Sequence, residues 1–177
     1  MKKKMPAWLA LLIITLIAGL LLGLTNYITK DKIADVAMRA ANESRIVVFP
    51  EADDFKQQEV DDSSIDNYYL ALLNEKTIGY TSQATVQGYG GEIEVIVGMD
   101  LEGKITGISV GGPNFSETAG LGSKTKEPEF TSQFVGLTTP LVVKENINAV
   151  SSATISSTAV TKAVNICVDY MINKAGI

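Results

Sequence analysis

Apolar positions run without a charge from Ala7 to Leu24, interrupted only by Thr15 and two glycines. At about 1.5 Å per residue the run crosses most of a ~30 Å hydrocarbon layer, and Tyr27 and Ile28 extend it. The pattern predicts one transmembrane helix over residues 7–28, with Trp8 and Tyr27 as interfacial anchors. Lys2, Lys3 and Lys4 stand in front of it and no comparable basic cluster stands behind. That asymmetry puts the N-terminus in the cytoplasm, at the inner membrane, and the body of the protein on the extracytoplasmic side. The run exceeds the apolar region of a usual signal peptide and no small-x-small site follows it, so it reads as an uncleaved anchor in the lipid bilayer.

Helical spacing continues through Ile33, Val36, Ala37 and Ala40, with Asp31 and Asp35 ahead of Arg39 and Arg45, the order a helix dipole favours. This predicts a stalk helix ended by Phe49-Pro50. Glu51 to Asp66 then holds seven acids against one lysine and reads as a solvated connector. After it the period changes to two. Tyr68–Leu73 and Ile78–Gln87 read as strands joined at Asn74-Glu75-Lys76. Ile93, Val95 and Val97 alternate with Glu94, Ile96 and Gly98, and Ile105–Val110 follows a turn containing Gly103. Glu127–Val135 reads as a short helix presenting Phe130 and Phe134, and Leu141–Val143 as a short strand. A last helix runs from Ser156 or Ser157 towards Asn173 on a stripe of Val160, Ala163, Val164, Cys167, Val168 and Met171. The expected fold class is α+β: an N-terminal transmembrane helix, then a domain with a mostly antiparallel sheet and flanking helices. The segments divide as 1–29 (basic start and anchor), 30–66 (stalk and connector) and 67–177 (outer domain).

Composition removes several chemistries from this frame. The chain has no histidine and one cysteine, so an internal disulfide, a Cys/His zinc site and a Ser-His-Asp triad cannot be built. Cys167 lies on the buried stripe and reads as a packing residue. Acids outnumber bases 20 to 15, and three of the bases precede the anchor, which disfavours a nucleic acid partner. Neither the dinucleotide fingerprint nor the phosphate-binding P-loop occurs.

Three stretches remain as candidate chemistry. Gly88-Tyr89-Gly90-Gly91 lets the backbone turn sharply or a flat ligand approach, or is a plain flexible loop. Gly111–Gly122 is an irregular loop beside a sheet, where binding residues concentrate. Asn148–Ser157 is a hydroxyl cluster at the mouth of the last helix. There a phosphate on a threonine oxygen would meet free N–H groups and the positive end of the dipole. The same cluster also reads as a polar helix cap.

In order and spacing these stretches resemble the FMN-binding domain family, and within it the G subunits of Rnf electron-transport complexes. The resemblance rests on the membrane helix, the Phe-Pro element, Gly88–Gly91, Glu117-Thr118-Ala119-Gly120-Leu121-Gly122 and Ser151-Ser152-Ala153-Thr154. It implies that FMN is joined covalently to Thr154 as a phosphoester, by a flavin transferase using FAD. It implies that Glu117, Thr118, Gly120, Leu121 and Gly122 lie against the isoalloxazine and that Ser151, Ser152 and Ala153 complete the attachment motif. Ser156 and Ser157 are expected to add hydrogen bonds to the phosphate, with Lys124, Lys126 and Lys144 as further electrostatic candidates. Two positions depart from the family pattern: Asn148 stands where an acid is usual, and Ser152 where a glycine is. No catalytic acid or base and no metal is expected, because the flavin carries the electron chemistry. The implied role is electron relay in a complex coupling ferredoxin:NAD oxidoreduction to ion translocation, with the other membrane and peripheral Rnf subunits as partners. The alternatives are the related C subunit of sodium-translocating NADH:quinone reductase and an exported interaction domain without redox function.

Overall fold

The computed structural model describes residues 6–177, and within the first helix it leaves the side chains at positions 34, 35 and 37 undescribed. Lys2, Lys3 and Lys4, and the side chains of Asp35 and Ala37, therefore lie outside the described residues. The chain divides into two compact units, one ending at Arg39 and one from Ala40 to Ile177. The described part of the first is almost wholly helix α1, whose last turns belong to the second. α1 runs as one 42-residue helix, Ala7–Val48, where the sequence suggested an anchor and a separate stalk. No proline interrupts it before Pro50, and it is long and apolar enough to cross a membrane.

In the second unit five strands pair in sequence order as an antiparallel meander: β1 (Asp54–Gln58), β2 (Asn67–Leu73), β3 (Lys76–Gln87), β4 (Glu92–Asp100) and β5 (Ile105–Gly111). β1 corrects the expectation of a connector throughout 51–66. Its residues are exposed or half-buried, so it lacks the buried alternation by which the other strands are read, and it is held at the edge by backbone pairing with β2. Asn74 and Glu75, both at positive φ (51° and 65°), close the β2–β3 hairpin in the handedness that strand twist favours. Helix α3 (Thr154–Ala175) packs on one face of this sheet. Val160, Ala163, Val164, Cys167, Val168 and Met171 meet Ile93, Val95, Val97 and Met99 of β4 in one apolar core. Burial pushes the Cys167 thiol up to about 12, which keeps it protonated and unreactive.

Between β5 and α3 the expected helix over Glu127–Val135 is broken into shorter pieces. A 3-10 turn at Gly122–Lys126 leads into α2 (Pro128–Thr131), and a second 3-10 turn covers Ser132–Phe134. Phe130 and Phe134 meet edge to face at 5.4 Å and are both buried, as their spacing suggested. The expected strand Leu141–Val143 is not formed: Val143 makes only an isolated bridge to Ile147. Asn146 explains this by donating to the Pro140 carbonyl and accepting from the Val142 amide, which closes the segment into a tight loop.

The opposite face of the sheet receives the end of α1. Gly98 and Gly107 are paired across β4 and β5, and a Cβ added at Gly98 would lie 2.7 Å from the Val48 carbonyl oxygen. That oxygen accepts from Thr106 Oγ1 at 2.6 Å. At Gly79, on β3, an added Cβ would strike the ring of Phe49. Arg45 is buried over the Tyr69 ring, 3.9 Å from its centroid. The glycines thus form a saddle in which Val48 and Phe49 are buried. Gly98→Ala is expected to cost about 1–3 kcal/mol through overpacking, read as a lower unfolding midpoint in guanidinium.

Candidate functional site

The three stretches singled out in the sequence meet at one side chain. Glu117 is buried, and its Oε1 accepts hydrogen bonds from the backbone N–H of Tyr89 at 2.7 Å and of Gly90 at 3.1 Å. Its Oε2 accepts from Ser156 Oγ at 2.8 Å. No lysine or arginine pairs with it among the described residues. The glycines around it make room: a Cβ at Gly88 would strike Oε1, and one at Gly122 would strike Oε2 and approach Ser156 Oγ at 2.8 Å. Gly88–Gly91 is therefore a fitted turn, closed by a Gly88 N–H to Gly91 carbonyl bond of 2.8 Å, and not a flexible loop.

α3 opens at Thr154, two or three residues earlier than the periodicity suggested, because apolar spacing does not report a polar first turn. Its N-cap is Ala153, which supplies no side-chain oxygen, so the hydroxyl cluster does not act as the expected cap. The amides of Thr154, Ile155 and Ser156 have no acceptor among the described residues, and neither has the Thr154 hydroxyl a partner there. Thr154, Ser151 and Ser152 are exposed, while Ala153 is buried. Ser156 and Ser157 point inward. Ser156 Oγ is committed to Glu117; Ser157 Oγ donates to the Ala153 carbonyl at 2.9 Å and accepts from Val150 N–H at 3.0 Å. Their hydroxyls hold the turn in place from beneath. On the loop side Thr118, Gly120 and Leu121 are exposed and Gly122 is buried.

A cleft of about 420 Å³ adjoins the turn before α3, lined by Lys124, Phe130, Gln133, Asn148, Ala149 and Val150 among others. Lys124 is thereby placed beside the turn, whereas Lys126 stacks on Phe115 with its Nζ 4.6 Å from the ring centroid. Gln133 holds the approach to the turn, accepting from Asn148 N–H at 2.8 Å and donating to the Asn148 carbonyl at 3.3 Å. Neither Gln133 nor the Glu117 ties could be read in advance, since both act across 15 or more residues of sequence.

Among known proteins, the model of the FMN-binding domain matches residues 88–169, the span from the glycine turn to the last helix. The chain is 32% identical to the G subunit of the proton-translocating ferredoxin:NAD(+) oxidoreductase complex of Clostridium ljungdahlii, over 90% of this chain and 87% of that one. It is 31% identical to the G subunit of the sodium-translocating complex of Acetobacterium woodii, over 93% and 90%. The chain belongs to the FMN-binding G-subunit family of these complexes. The fold of this family member is also that of the C subunit of the sodium-translocating NADH-quinone reductase of Parabacteroides distasonis. There the TM-score is 0.51 at 20% identity, covering 62% of this chain and 61% of that one.

Ser152, in the turn that leads into α3, has φ 60°. Left-handed backbone is costly for a residue with a Cβ and free for a glycine, the residue the resemblance leads one to expect here. Ser152→Gly removes a cost of about 1–2 kcal/mol and adds unfolded-chain entropy of about 0.5–1 kcal/mol. A net stabilisation of up to about 1.5 kcal/mol is expected, visible as a rise in melting temperature.

Proposed function

We propose that this chain is the membrane-anchored, covalently flavinylated subunit of a complex that couples electron transfer between ferredoxin and NAD to ion translocation. The observation that carries this is the junction at residues 153–156. An exposed threonine hydroxyl, bonded to no protein group among the described residues, opens a helix whose first three amides lack acceptors, within the family's attachment motif. Such a helix end favours the single negative charge of a phosphodiester by roughly 0.3–1 kcal/mol. In the attachment step Thr154 Oγ1 bonds to the phosphorus of the FMN half of FAD. The pyrophosphate P–O bond breaks, AMP leaves with the electron pair, and the hydroxyl proton passes to a base of the transferase or to water.

Bound FMN supplies the electron chemistry; the chain's residues supply position, solvent exclusion and field. Leu121 and Ile155, exposed and apolar, offer a surface for the ring system beside the tether. Thr118 and Gly120 would hold the ring from the loop side, and Lys124 would add positive charge for the phosphate. α1 spans the bilayer through residues 7–28, with the N-terminus cytoplasmic and the flavin domain outside. There free FMN would be lost by dilution, and an ester bond makes its retention independent of affinity. The partners are the other membrane and peripheral subunits of the complex and, during maturation, the flavin transferase.

Identities of 31–32% along most of the chain to ferredoxin-linked G subunits favour this assignment over the quinone-reductase C subunit, whose likeness is one of fold. Co-expression with a flavin transferase, denaturation, and intact-mass measurement with peptide mapping test the proposal. The expected result is one FMN phosphoryl adduct on the peptide containing Thr154. A colourless chain with the mass of the bare polypeptide would overturn covalent attachment and return the exported interaction domain as the better description.

A further inference from the structure

Glu117 joins three segments, and each carries an exposed apolar side chain next to the joint. Tyr89, 70% exposed, has its own N–H bonded to the carboxylate; Leu121, 41% exposed, precedes the Gly122 that packs on it; Ile155, 59% exposed, precedes Ser156. The spacing of these three side chains is thus governed by one carboxylate beneath them. That carboxylate is buried without a cationic partner among the described residues, and its Ser156 contact lies two positions along the chain from the residue bearing the attachment oxygen. A buried charge is screened far less than an exposed one, and a negative charge opposes the arrival of electrons nearby.

We infer that Glu117 is a positioning residue that fixes the Tyr89, Leu121 and Ile155 surface around the tethered ring, and that its charge lowers the reduction potential of the flavin. The inference rests on the flavin assignment made above. It places Glu117 below the ring-bearing surface rather than as a side-chain contact of the ring, because both of its oxygens are occupied by Tyr89, Gly90 and Ser156. Gly88 and Gly122 follow from the same need, since any Cβ there would displace the carboxylate.

The test uses the full-length chain in detergent after co-expression with the transferase. Glu117→Gln keeps the side-chain shape and an oxygen for Tyr89 and Gly90, while its amide group faces Ser156 Oγ, which can turn to accept. The expected result is wild-type FMN content by mass with a midpoint potential shifted to more positive values in spectroelectrochemical titration. Ser156→Ala keeps the charge and cuts only the tie to α3. There the expected result is a lower fluorescence anisotropy of the flavin, with a potential shift smaller than that of Glu117→Gln. A flavinylated Glu117→Gln chain with the wild-type potential, or a Ser156→Ala chain with wild-type anisotropy, overturns the inference. If Glu117→Gln does not fold, the Ser156→Ala anisotropy decides alone. A wild-type chain without flavin instead overturns the assignment on which the inference rests.

Discussion

Thr154→Ala is expected to remove covalent flavin altogether, leaving a chain with the mass of the bare polypeptide and no yellow fluorescence on a denaturing gel. The effect is all-or-none because the phosphoester has no other suitable oxygen in the helix turn. Ser156 and Ser157 are the nearest helical hydroxyls, and both are buried and hydrogen-bonded, so a transferase active site cannot reach them without unfolding the turn. Ser151 and Ser152 are exposed but precede the helix, away from its open amides. Thr158 is exposed on the next turn of α3, where the amides are already engaged within the helix. The fold should be indifferent to the change. Thr154 is exposed and its hydroxyl has no partner among the described residues, so stability should move by no more than about 0.5 kcal/mol. Thr154→Ser should retain flavin, since it keeps the reacting oxygen at the same position. Flavin still bonded in Thr154→Ala, located by peptide mapping, would move the acceptor elsewhere.

Much of this organisation was legible where burial writes a period into the sequence. The β4 alternation of Ile93, Val95 and Val97 and the α3 stripe from Val160 to Met171 are the two faces of the core, and both were read correctly. The two glycine-rich stretches and the hydroxyl cluster were singled out by residue type. What could not be read was how they meet, because a carboxylate 27 or 28 residues from its amide donors and 39 from its serine leaves no local pattern. Edge strand β1 escaped for a related reason: it is held by backbone bonds to β2, which its mostly polar, exposed or half-buried side chains do not advertise. The start of α3 was misplaced at Ser156 or Ser157, which hid the fact that Thr154 is itself the first helical residue. That position turns the hydroxyl cluster from an expected cap into an open helix end. Gly79, Gly98 and Gly107, unremarkable in sequence, proved to be the seat of Val48 and Phe49.

Glu117→Ala is expected to produce the largest loss of stability among single substitutions at the site, about 3 kcal/mol. Removing the carboxylate leaves the Tyr89 and Gly90 amides and the Ser156 hydroxyl without their acceptor. A buried donor stranded in this way costs roughly 1–3 kcal/mol, and the three do not simply add, since Tyr89 and Gly90 stand on an exposed turn that water can enter. Ser156 is the stranded group with least recourse, being 1% exposed on the first turn of α3. The carboxylate also carries a desolvation cost of its own, which its removal returns, so the net loss is smaller than the gross sum of its bonds. For a chain of this size each kcal/mol corresponds to roughly 2–4 °C, and a fall in melting temperature of roughly 6–12 °C is expected for the full chain in detergent. Amide exchange should quicken first at Tyr89 and Gly90, which separates loss of the joint from a general weakening of the core. A Glu117→Ala chain that melts within about 1 kcal/mol of wild type, with those two amides still protected, would show that water replaces the carboxylate. In that case the glycines at 88 and 122 would need another explanation than the space they leave for it.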